Sequence, residues 1–137
     1  QEALQPFLDR QDKVSIILCK TSNAGSGEFQ DMEIDGNKVW EVVVENVSKN
    51  WNKNNNCMLV VGATYPEEIK KVRAIVGDMT LLVPGIGTQG GDLEAVMASG
   101  LNQEKLGLII NSSRGIIFSD NPKAEAQKLC EEINEHR

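Results

Sequence analysis

At 137 residues and 15.0 kDa, with 40% hydrophobic residues, the chain has the size of one ordinary domain and enough apolar content for a core. A net charge of -6, a pI of about 4.8 and the lack of any Lys/Arg cluster among aromatics leave no electrostatic footprint for nucleic acid. Three widely spaced cysteines (Cys19, Cys57, Cys130) form neither a disulfide framework nor a zinc spacing and fit a reducing, cytosolic setting; no apolar run approaches the roughly 20 residues of a membrane span, and "QEALQPFLDR" has no signal-peptide layout.

In chain order, Val14 to Cys19 ("VSIILC") is a short β-branched apolar run and reads as a strand. An irregular stretch from Lys20 to Asn37 follows, of a length that in compact domains usually serves function. Val39, Trp40, Val43, Val44, Val47 and Trp51 share one face at a 3.6-residue period, which predicts an amphipathic helix over 38–51. Met58 to Gly62 is the next strand, and Thr64 with Glu67 has the spacing of a capping box opening a helix through Ile69, Val72 and Val76. Thr80 to Pro84 is a third strand. It runs into "GIGTQGG", after which Asp92 is the expected N-cap of a helix through Leu93, Val96 and Met97. Leu106 to Asn111 is a fourth strand. The last helix begins at Asn121-Pro122, with Pro at its favoured first position and Ala126, Leu129, Cys130 and Ile133 on its apolar face. Four strands alternating with four helices predict an α/β fold around a parallel sheet, whose near-continuous apolar runs suggest burial on both faces.

The glycine run contains G-x-G-x-x-G at Gly85, Gly87 and Gly90. A dinucleotide site needs an acid about 20 residues further on and normally occupies the first βα turn of its domain. Here that interval reaches Ile110, Asn111 and Ser112, and only one strand remains. A phosphate cradle fits better: Gly85, Gly87, Gly90 and Gly91 admit an anion close to the backbone, Gln89 adds an amide donor, and Arg114 closes the next strand. In (β/α)8 barrels the loops after strands seven and eight often bind phosphate, so the four units count backward as strands five to eight.

The strings "LCKTSNAGSGEFQ", "LVVGATYPEE", "LLVPGIGTQGGDLEAV" and "LIINSSRGIIF", in that order and spacing, resemble the C-terminal half of the bacterial-type orotidine 5′-phosphate decarboxylases, from about Leu4 to Phe118. The resemblance implies a cofactor-free, metal-free decarboxylase of pyrimidine synthesis, built as a (β/α)8 TIM barrel and usually a homodimer. By motif position it implies phosphate binding by Gly87, Gln89, Gly90 and Arg114, and pyrimidine binding by Ser22 with Thr21 beside it, by Gln89, and by Pro84 against the ring. The sequence departs from the family pattern at Ala24, where a proline is expected.

The family's D-x-K-x-x-D pattern, centre of its catalytic Lys/Asp network, is absent from this chain. Residues 1–137 are therefore expected to be one domain, the C-terminal half of such a barrel, with no catalytic residue of its own. Its expected partners are orotidine 5′-phosphate or UMP, the N-terminal half and a homodimer mate, with no nucleic acid and no membrane. Two other classes stay open: a different phosphate-binding barrel enzyme, and a complete flavodoxin-like module that binds phosphate or nucleotide without catalysis. His136, Cys19, Trp40 and Trp51 read as structural or surface residues.

Overall fold

The structure, a computed structural model, describes residues 1–87 and 91–137. A 3-10 turn (Glu2–Leu4) and a short helix α1 (Gln5–Leu8) precede β1 (Ser15–Lys20). A second 3-10 turn (Ala24–Ser26) leads into α2 (Gly27–Gln30), the hairpin strands β2 (Glu33–Ile34) and β3 (Asn37–Lys38), and α3 (Val39–Asn46), which ends in one π turn (Val47–Trp51). Then come β4 (Cys57–Val61), α4 (Pro66–Val76), β5 (Leu81–Pro84), α5 (Leu93–Gly100), β6 (Leu108–Asn111), α6 (Arg114–Ile117) and α7 (Pro122–Glu135).

β1, β4, β5 and β6 form one parallel sheet in that order. The order follows the chain without reversal, as in a barrel wall; a doubly wound, flavodoxin-like sheet reverses at a switch point and carries helices on both faces. Among the described residues only one face is covered. Leu59, Leu81 and Val83 are fully buried on it, beneath Trp40, Val44 and Val47 of α3 and its π turn, Ile69 and Val72 of α4, and Val96 and Met97 of α5. The register puts Ile16 beside Met58, Leu18 beside Val60, Val60 beside Leu82 and Leu82 beside Ile109 on the other face. There Ile16, Leu18 and Ile109 are 51%, 58% and 45% exposed. The expectation of burial on both faces is thus corrected. The apolar runs are real, but the described residues supply cover for one side only.

Two expected caps form. Asp92 accepts the Ala95 N–H at 3.3 Å, and Asn121 accepts that of Ala124 at 3.1 Å, with Pro122 opening α7. The Thr64–Glu67 capping box does not: α4 starts at Pro66 behind Tyr65, because the Thr64 hydroxyl donates to the Ser22 carbonyl instead, at 3.3 Å. The stretch from 20 to 37 is not irregular, since α2 and a hairpin turning at Asp35–Gly36 occupy it. α7 packs through Leu129, while Ala126 and Cys130 of its apolar face are exposed.

At the N-terminal end of the sheet, Arg73 ties the α4–β5 and α5–β6 connections together. Its guanidinium donates to the carbonyls of Gly100 (2.7 Å), Met79 (2.7 Å), Gly107 (2.9 Å) and Gly77. These carbonyls lie at helix ends and loop turns, where the helix itself supplies no donor; that of Gly107 also accepts the Leu81 N–H at 2.9 Å. Asn54 and Asn56 similarly hold the N-terminal segment by donating to the Leu8 carbonyl, at 2.9 and 3.0 Å.

Candidate active site

The C-terminal ends of the four parallel strands carry the four motif segments. Hydrogen bonds knit them side by side: Gly62 N–H donates to the Lys20 carbonyl at 2.7 Å and Ala63 N–H to the Pro84 carbonyl at 2.8 Å, while Pro84 pairs in register with Asn111. In open and closed α/β sheets this edge is where ligands bind.

Thr21 and Ser22 leave β1 directly into this edge. Thr21 is bracketed by the Gln30 amide of α2: Gln30 Oε1 accepts the Thr21 N–H at 3.0 Å, and Nε2 donates to Thr21 Oγ1 at 3.2 Å. Ser22 lies against Gly62. A Cβ at residue 62 would stand 2.6 Å from the Ser22 nitrogen, so only glycine permits this approach.

Lys20, the last residue of β1, is fully buried. Its Nζ lies 2.8 Å from Asp31 Oδ2 and 4.8 Å from the centre of the Tyr65 ring, and Lys38 approaches the other Asp31 oxygen at 3.4 Å. The Lys20 ammonium, then Lys38, hold the Asp31 carboxyl below its ordinary pKa. Tyr65 in turn shares a 3.3 Å hydrogen bond with Ser26, so β1, α2 and the turn before α4 are joined through one polar cluster. Beside it, burial pushes the Cys19 thiol up to about 12, against the opposing pull of Lys20. A thiol so protonated packs rather than reacts.

After β5 the glycine run folds back on itself. Gly85 and Gly87 have φ of 103° and 79°, and the chain closes through Gly91 N–H to the Gly85 carbonyl (3.1 Å) and Gly87 N–H to the Gly91 carbonyl (3.3 Å). A Cβ at residue 91 would sit 2.6 Å from that Gly85 oxygen. Gln89 and Gly90 lie outside the described residues. Arg114 opens α6 three residues beyond Asn111 on the neighbouring strand, and its side chain is exposed. The fold thus brings Thr21, Ser22, Pro84 and Gly87 to one edge, with Arg114 on the adjoining loop.

Sequence reasoning missed Gln30 and Asp31, because it read 20–37 as irregular, and Tyr65, because only its approach to Lys20 and Ser26 in the fold gives it a place here. One signal was available: "EIDGNK" carries an Asp-Gly pair between short runs, the mark of a hairpin that brings its flanks together.

Comparison with known proteins supplies the remaining facts. A family model described as orotidine 5′-phosphate decarboxylase / HUMPS family matches residues 1–129. An orotidine 5′-phosphate decarboxylase of Ralstonia nicotianae is 46% identical over 99% of this chain and 53% of its own length. Among solved structures, the Leishmania donovani OMP decarboxylase is 42% identical with a TM-score of 0.90, over 97% of this chain and 52% of that one. The UMP synthase of the same organism is 44% identical with a TM-score of 0.94, over 98% of this chain and 30% of that one. The chain spans about half the length of the curated relatives it matches. That share, with the one-sided sheet, agrees with the expected half of a (β/α)8 barrel.

Proposed function

The chain belongs to the orotidine 5′-phosphate decarboxylase / HUMPS family, and from that premise we propose that it is the substrate-gripping C-terminal half of a barrel converting orotidine 5′-phosphate to UMP. The reading rests on one observation: all four motif segments follow the C-terminal ends of adjacent parallel strands.

In this reading the glycine loop with Gly87, Gln89 and Gly90 offers backbone and amide donors to the phosphate, and Arg114 adds a guanidinium suited to bidentate contact. Ser22, with Thr21 behind it, and Gln89 take the amide edge of the pyrimidine, while Pro84 lies against the ring. The reaction expels the ring carboxylate as carbon dioxide and leaves negative charge on the ring carbon, which then takes a proton. Catalysis therefore needs a positioned ammonium at that carbon and carboxylates to organise it. Lys20 does not serve, because its ammonium is buried and committed to Asp31 and the Tyr65 ring. The Lys/Asp network belongs to an N-terminal half packed on the bare sheet face. The complete barrel pairs as a cytosolic homodimer, and residues 1–137 act as one domain within it.

Phosphate is remote from the reacting carbon, so its binding energy is spent on the barrier as well as on affinity. Truncating one partner of a charge-assisted pair costs about 2 to 5 kcal/mol. In the complete barrel, Arg114→Ala is expected to lower kcat/KM for orotidine 5′-phosphate at least about tenfold while hardly altering turnover of the phosphate-free nucleoside. Equal losses on both substrates would remove Arg114 from the phosphate site.

A further inference from the structure

We propose that Gln30 is a positioning residue for pyrimidine recognition, acting through Thr21 to hold Ser22 in a single orientation; this rests on the reading above that Ser22 faces the ring. Ser22 sits in a segment with no regular structure, between β1 and the turn at Ala24–Ser26. A hydroxyl on such a segment must be fixed by its neighbours before it can discriminate one ring edge from another.

The structure provides that fixation from three directions. On one side the Gln30 amide grips both polar groups of Thr21, the N–H and the hydroxyl. Two bonds from one planar amide to one residue define the backbone direction in which the chain enters Ser22. On the second side Thr64 donates to the Ser22 carbonyl at 3.3 Å. On the third the missing side chain of Gly62 lets the β4 end press against the Ser22 backbone.

Gln30 itself needs an anchor, since α2 has only four residues and no helix of that length is stable alone. The Lys20–Asp31 ion pair provides it, joining the strand residue just before Thr21 to the residue just after Gln30. The two crosslinks are therefore nested: 20 to 31 outside and 21 to 30 inside. Gln30 acts on the site through Thr21, toward which its amide is turned with both its oxygen and its nitrogen.

The test compares affinities in the complete barrel for UMP, which carries the ring, and for ribose 5-phosphate, which does not. Gln30→Leu should weaken UMP about three- to tenfold, the worth of a hydrogen-bonded hydroxyl set in place, and leave ribose 5-phosphate unchanged. Gln30→Glu, which still accepts the Thr21 N–H, should recover most of the loss. In a Ser22→Ala background, itself weaker for UMP, Gln30→Leu should add nothing. Equal weakening of both ligands by Gln30→Leu, or additive effects with Ser22→Ala, would overturn the positioning role while leaving the site reading intact. No effect of Ser22→Ala on UMP would overturn the site reading, and this inference with it. Melting temperatures of each variant keep a general loss of folding distinct from these outcomes.

Discussion

The two faces of the parallel sheet carry much the same kind of residue and meet opposite fates. On the helix-covered face Leu59, Leu81 and Val83 lose all contact with solvent; on the other, Ile16, Leu18 and Ile109 remain about half exposed. Composition does not separate them, since both are runs of Leu, Ile and Val. The difference lies in what packs on top: α3, α4 and α5 close one side, and nothing among the described residues closes the other. Parallel sheets are found covered on both faces, because a crossover helix follows each strand and the barrel interior fills with side chains. A bare apolar face is therefore where the proposed N-terminal half would pack.

Truncating one residue on each face should separate the two sides most strongly. Leu59→Ala should cost about 2 to 5 kcal/mol in any setting, from lost burial plus the cavity left behind. Leu18→Ala should cost less than about 0.5 kcal/mol in the chain by itself. It should then approach the Leu59 value once an N-terminal half is packed on that face. Denaturant unfolding of both variants, with and without that half, measures it. If Leu18→Ala is as damaging in the single chain as Leu59→Ala, the face is not bare in solution.

Next in size comes the covered side's clasp. Arg73→Met keeps the aliphatic stem but removes donors from four carbonyls, and should lower stability by about 2 to 4 kcal/mol by the same measurement. Loss below about 0.5 kcal/mol would mean that water replaces the guanidinium at no cost. Smaller still is the effect at Asp31. Its pKa is depressed by Lys20 and Lys38, so its contribution is fully present above the ordinary value of 3.8 and fades as pH falls through the lower folded value. Asp31→Asn should lower the melting temperature at pH 7 and flatten its decline below about pH 4. An unchanged acid limb would remove the ion pair from the stability account.

The sheet was legible because its strands are β-branched runs. The expected start of each lies within two residues of the observed one, and the Asp92 and Asn121 caps follow from local chemistry that needs no tertiary partner. The barrel half was legible through the four ordered motifs. What could not be read depended on distant groups. A four-residue helix leaves no periodicity, so α2 and its Gln30 were hidden within a loop. Thr64 has the spacing of a cap, yet the Ser22 carbonyl, 42 residues away in sequence, takes its hydroxyl. Lysine is seldom buried, and only the approach of Asp31 and Tyr65 makes it so at residue 20. Alternation in a strand likewise shows that a face is apolar without saying whose side chains will cover it.

In the proposed division of labour this chain grips the substrate and another half performs the chemistry. Carbon dioxide release from orotidine 5′-phosphate tests it most directly, measured with the 137-residue chain, with a polypeptide holding the first four βα units, and with their mixture. Background rates are expected from each piece and restored turnover from the mixture, abolished when Arg114→Ala is combined with loss of the glycine loop. Robust turnover by the 137-residue chain with no longer enzyme present would contradict that division of labour.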